Sequence, residues 1–127
     1  MDGLKAAGLS ALLGTMALAL VLAVALPAVA AERCTGEQVR ASWYGPGFHG
    51  RTTANGERYN QHGLSAAHKT LPFGTRLRVS YRGKSVAVRV NDRGPYIKGR
   101  SLDLSRGAAE RIGLIQPGHA KVCMEVV

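Results

Sequence analysis

The sequence predicts a mainly β chain, folded as one compact barrel of about six short strands with a single short helix. Three observations carry this. Short segments in which branched or aromatic residues alternate with polar ones recur along residues 39–127, the period-2 pattern of half-buried strands. Glycine and proline clusters punctuate them. Helical signals are confined to one stretch near the carboxy end. A barrel suits so small a chain because closure leaves no unpaired sheet edge.

Residues 1–31 precede the barrel and read as a signal peptide. Lys5 leads an apolar run over residues 6–26, Pro27 breaks it, and Ala28-Val29-Ala30 offers the small residues of a cleavage site after Ala30 or Ala31. A run of roughly 20 apolar residues can also stay in place as an anchor, but the small-residue site favours removal. Glu32 and Arg33 stand before Cys34, where a lipobox needs small uncharged residues, so no lipid anchor is expected. Residues 32–127 are then one small domain without repeat or linker, destined for the periplasm or cell envelope, with no membrane span once the signal is gone.

Within that domain, residues 39–44 (VRASWY) form the first strand, ended by Gly45-Pro46-Gly47. Residues 48–63 are polar and glycine-bearing, a loop long enough to suggest function. Residues 64–67 are a short strand, Leu71-Pro72-Phe73-Gly74 a turn, Arg76–Tyr81 a strand, and Arg82-Gly83 turns the chain into a strand over residues 85–90. Ordered structure returns at Leu102-Asp103-Leu104. Ser105 is a good N-cap for a helix over Arg106–Ile112 that buries Ala108, Ala109 and Ile112 and ends at Gly113. Residues 119–127 are the last strand. Cys34 and Cys123 flank the domain; in an oxidising compartment they are expected to pair, the alternative being two free thiols.

Charge narrows the function. The net charge is +9, and losing Lys5 and Asp2 with the leader leaves it unchanged. A basic exported domain is drawn to anionic polymers. The basic residues are dispersed without interleaved aromatics, which argues against nucleic acid and for the cell wall. Neither metal-ligand spacing nor a Cys/His pair is visible, and no cofactor is expected.

Chemistry concentrates in two stretches. Residues 90–105, VNDRGPYIKGRSLDLS, set Asp92 and Asp103 at the two ends of a turn among Arg89, Arg93, Lys98, Arg100 and Arg106. Nearby arginines favour ionised carboxylates and burial opposes it, so titration can be set here; the plainer reading is turn residues paired with Arg. In residues 48–68, Asn55-Gly56 makes a tight turn holding Glu57 at a loop tip, and His68 ends the next strand. If both loops open at one end of the barrel, these groups meet. Glycosidic cleavage needs such a set, an acid for the leaving oxygen and a second group for the anomeric centre. Trp43 and Tyr44 offer a platform for a sugar ring or, equally, core packing.

Ala41-Ser42-Trp43-Tyr44-Gly45, Phe48-His49-Gly50-Arg51, Thr53-Ala54-Asn55-Gly56-Glu57, residues 66–75 (AAHKTLPFGT), Asn91-Asp92-Arg93-Gly94-Pro95, Gly99-Arg100 and Asp103-Leu104-Ser105 together resemble the rare lipoprotein A (RlpA)-like double-psi β-barrels. The resemblance covers nearly the whole domain. It implies a six-stranded double-psi barrel and lytic transglycosylase activity on peptidoglycan glycan strands; a monomer is expected. Its Glu, His and Asp site residues fall on Glu57, His68 and Asp92, with Asp92 and Glu57 expected to handle the proton. Asp103 matches the catalytic acid of the related expansins and family 45 endoglucanases; ordering the helix junction is its alternative role. Arg51, Asn55, Arg93 and Arg100, with Trp43 and Tyr44, are the expected substrate contacts, Arg93 being the arginine best placed to pair with the site acids instead. Many members also carry a SPOR domain and the sequence here stops at Val127, so septal targeting is not part of the expectation. A non-catalytic, expansin-like wall-loosening module is the rival reading.

Overall fold

The computed structural model describes residues 33–127; the signal-peptide assignment lies outside them. Six strands form a closed barrel: β1 (Glu37–Tyr44), β2 (Ser65–His68), β3 (Arg76–Tyr81), β4 (Lys84–Asp92), β5 (Leu102–Ser105) and β6 (His119–Val126). A short 3-10 turn covers Pro46–Phe48, and the helix α1 spans Arg106–Ile112. Around the barrel the order is β1-β5-β2-β4-β3-β6, closing on β1. The pairs β1/β5 and β2/β4 are parallel and the rest antiparallel, the pairing expected of a double-psi barrel. Strand bounds fall within two residues of those read from the pattern. Among the described residues no helix is long and apolar enough to cross a membrane.

Alternation decides what fills the barrel. Val39 and Ala41 on β1, Leu77 and Val79 on β3, Val86, Val88 and Val90 on β4, Leu102 and Leu104 on β5, and Val122 and Met124 on β6 are all buried in one cluster. Successive side chains on a strand face opposite ways, so Ser42, Tyr44, Arg89 and Asp103 look outward. Helix α1 adds Ala108, Ala109 and Ile112 to the core. Ser105 caps it as expected, its Oγ accepting the Ala108 amide at 3.3 Å, and Gly113 ends it at φ 76°.

The start of α1 also anchors the long loop. Ser105 Oγ donates to the Gly63 carbonyl at 2.7 Å, and the Gly107 amide donates to the Gln61 carbonyl at 2.7 Å. A Cβ on Gly107 would stand 2.7 Å from the His62 oxygen and 2.8 Å from that of Gly63. Backbone cannot yield as a side-chain tip can. Gly107→Ala should therefore lower the melting temperature, an overpacking cost of about 1–3 kcal/mol exceeding the ~1 kcal/mol of helix propensity gained. A melting temperature at or above wild type would show that the loop rides loosely on the helix.

Cys34 and Cys123 are joined in a disulfide across 89 residues of sequence, with a Cα–Cα distance of 5.4 Å. It ties the segment before β1 to β6, itself paired with both β1 and β3.

Candidate active site

The site is a row of outward-facing residues across adjacent strands. Ser42 on β1 pairs with Asp103 on β5, Asp103 with Ala67 on β2, and Ala67 with Asp92 on β4. Asp92 and Asp103 thus flank one small residue, whose short side chain leaves space between them. Asp92 reaches this face through a register shift. Val90 opposes Ala66, but Asp92, not Asn91, opposes Ala67, so β4 carries one extra residue. Such a bulge re-aims the side chains beyond it: Asp92 would otherwise follow Val90 into the core.

The two carboxylates sit in different surroundings. Asp92 Oδ1 accepts the backbone amides of Ala54 and Arg93, each at 2.9 Å, and Oδ2 lies 3.5 Å from the Tyr44 hydroxyl. Asp103 accepts one hydrogen bond, 3.0 Å from the Ser42 hydroxyl. Burial pushes the Asp103 carboxyl up to about 6, with Asp92 adding to the rise while Ser42 and Arg100 oppose it. Burial, helped by the charge of Asp92, also raises the Tyr44 phenol well above its usual range, so it stays a neutral donor.

Tyr59 holds this face together, and the sequence reading passed it over. It is 2% exposed, its ring stacks on Tyr44 at 4.3 Å, its hydroxyl donates to the Tyr44 carbonyl at 2.6 Å, and the Arg106 amide donates to it at 3.2 Å. A lone tyrosine inside an otherwise polar loop was the available signal.

Glu57 is at the tip of its loop as expected. Asn55 Oδ1 accepts both the Thr53 hydroxyl at 2.7 Å and the Glu57 amide at 3.1 Å, and Gly56 takes φ 95°. Asn55 thereby spends its side-chain oxygen on the turn. Arg89 grips Glu57 with two bonds of 2.8 and 3.0 Å, and Asn91 adds a third at 3.1 Å. These bonds, Arg89 first, hold the Glu57 carboxyl down at about 2. In this arrangement Glu57 is held as an anion, and the Arg89 pair disfavours the share in the acid step that was expected of it.

Two further expectations change, for His68 and Arg93, and Trp43 takes the core packing that was one of its two expected places. The His68 ring does not join the carboxylates: it pairs with Leu102 on the inward side of β2, and its Nδ1 accepts the Thr70 and Leu71 amides, each at 3.1 Å. It faces a separate groove of about 740 Å³, lined also by Glu37, Leu71, Ser101 and Met124. Arg93 does not pair with the site acids; its guanidinium donates to the carbonyls of Leu71 at 2.9 Å and His68 at 3.3 Å and lies 3.9 Å from the Phe73 ring centroid. Trp43, opposite Leu104, packs on the core, as alternation requires, and Tyr44 has Tyr59 on one face and the edge of Phe48 5.7 Å away. Open aromatic surface is offered instead by Phe48 and by Tyr96, 48% and 82% exposed. Arg51 is exposed, 5.4 Å from the Phe48 ring centroid. Arg100 remains close enough to act on the charge of Asp103.

Known proteins frame this geometry. A family described as lytic transglycolase matches residues 36–124. The chain is 61% identical over 89 residues to the "Probable endolytic peptidoglycan transglycosylase RlpA" of Synechocystis, covering 68% of this chain and 28% of that protein. It is 53% identical over 103 residues to the endolytic peptidoglycan transglycosylase RlpA of Campylobacter jejuni, covering 80% of this chain and 37% of that one. It thus spans roughly a third of the length of those relatives. Among solved structures, a Streptomyces papain inhibitor shares the fold at TM-score 0.59 and 21% identity, over 72% of this chain and 96% of its own. With the double-psi pairing of its strands and a match running from just before β1 into β6, this chain belongs to the lytic transglycolase family.

Proposed function

We propose that this chain is an exported lytic transglycosylase that cleaves the bond between N-acetylmuramic acid and N-acetylglucosamine in peptidoglycan glycan strands, leaving 1,6-anhydromuramoyl ends. The observation that carries it is the Asp103–Ala67–Asp92 row, in which one carboxyl is pushed up to about 6 beside a second carboxylate. The family match and the names of the relatives support the same chemistry.

Asp103, protonated in part near neutrality, donates to the glycosidic oxygen as the bond to the anomeric carbon breaks. Positive charge builds on the anomeric carbon and ring oxygen, and the Asp92 carboxylate, held by the Ala54 and Arg93 amides, stabilises it. The muramoyl 6-hydroxyl then closes on the anomeric carbon and returns its proton to Asp103. No water is consumed and the acid is restored. Glu57 is fixed as an anion by Arg89, the exposed rings of Phe48 and Tyr96 offer apolar surface to sugars, and Arg51 and Arg100 are the cations for their carboxylates. The Cys34–Cys123 bridge, together with the export signal expected from residues 1–31, supports action outside the cytoplasm.

Mass spectrometry of digests of purified, peptide-stripped glycan strands tests this. Products ending in 1,6-anhydromuramic acid are expected. Reducing ends alone would make the protein a hydrolase, and bound but uncleaved strands would make it an expansin-like module.

A further inference from the structure

We propose that His68 is a positioning residue, acting on Asp92 through the turn of residues 69–75 and the backbone of Arg93. The claim rests on the catalytic reading above for its kinetic consequence, though its structural half stands alone. Four links carry it. His68 Nδ1 accepts the amides of Thr70 and Leu71, which starts the turn. The Leu71 and His68 carbonyls then receive the Arg93 guanidinium, whose face is covered by the Phe73 ring of the same turn. The turn is tied back to β4 by the Gly74 amide on the Val90 carbonyl at 2.8 Å and the Val90 amide on the Thr75 carbonyl at 2.9 Å. Arg93, so held, gives its own amide to Asp92 Oδ1.

The ring is badly placed to carry a proton for the carboxylates. On β2 the side chains of Ala67 and His68 face opposite ways, and Ala67 is the one between Asp92 and Asp103. Nδ1 accepts two amides, which requires a neutral imidazole with its proton on Nε2. Glu37 of β1, Lys69 and Arg93 supply the charges around the ring, and neither site carboxylate is among them. Histidine suits the job because Nδ1 lies at the distance from Cα needed to reach back to amides two and three residues ahead. The side-chain oxygen of asparagine sits at nearly the same place and accepts the same bonds, but cannot shuttle protons. That equivalence makes the proposal testable.

His68→Ala and His68→Asn are compared with wild type for anhydro product from peptide-stripped strands, and by NMR for the amide resonances of Thr70, Leu71, Arg93 and Asp92. His68→Ala should lose about 10²-fold in kcat, the scale set by misplacing a reacting group by an ångström, with little change in KM. His68→Asn should restore turnover close to wild type, with the Arg93 amide at its wild-type shift. An inactive His68→Asn overturns the proposal, because an acceptor without proton chemistry would then not suffice. Should His68→Ala fail to fold, the asparagine variant alone decides. If wild type itself releases no anhydro product, the catalytic reading has failed and the NMR comparison stands by itself. An Arg93 amide displaced in alanine and restored in asparagine supports the coupling, and one unmoved in both overturns it.

Discussion

Asp103→Asn should remove turnover while leaving a protein more stable than wild type near neutral pH. A general acid contributes about 10²–10⁴-fold, and asparagine cannot donate the proton, so the loss should be of at least that order. The stability gain follows from the same burial. The carboxyl of Asp103 rises from its usual 3.8 to about 6 in the folded state, so folding favours its protonated form. The stability this contributes is complete below the unfolded value near 4 and is lost as pH rises through about 6. Asparagine, always neutral and still able to accept from the Ser42 hydroxyl, escapes that loss. The difference in melting temperature between variant and wild type should therefore widen from pH 4 to 6 and level off above. Wild-type turnover should decline above pH 6 as Asp103 ionises. Anhydro product measured across that range, alongside thermal melts, reads both effects. A variant that keeps wild-type turnover would move the proton donor away from Asp103. One that loses turnover only by melting earlier would make Asp103 a structural residue of the β5–α1 junction.

Removing the disulfide is the change expected to cost the most stability. Cys34 and Cys123 close a loop of 89 residues, for which the chain-entropy estimate is roughly 4–5 kcal/mol. Domains of this size are stable by about 5–15 kcal/mol, so Cys34→Ala with Cys123→Ala should remove from about a third to nearly all of that stability. Equilibrium denaturation in urea, with and without reductant, measures this. The wild-type midpoint should fall under reductant while that of the double variant stays put. A wild-type midpoint indifferent to reductant would show that β6, held on both sides by β1 and β3, needs no covalent tie.

The alternation of Val86, Val88 and Val90, the breakers at Gly45-Pro46-Gly47, and the Ser105 and Gly113 caps sufficed to locate strands and helix, because each signal is local and acts within a few residues. The same holds for the Asn55-Gly56 turn that raises Glu57 to its loop tip. Asp92 and Asp103 could be singled out from their crowd of arginines, and the family resemblance could be read from motifs in order. Which acid does what could not. Arg89 is 32 residues from Glu57 in sequence, yet its fork decides that Glu57 is an anion. One extra residue in β4 turns Asp92 outward, and no residue type announces a bulge of that kind. Arg93 looked like a partner for the acids by proximity along the chain, but its side chain was free to choose the carbonyls of a turn more than 20 residues earlier. His68 follows Ala67 by one position and so faces the other side of the sheet. Residue identity and local pattern determined the elements and named the chemical groups. Charge state and facing depend on which distant strands lie side by side, and only the closed barrel decided those.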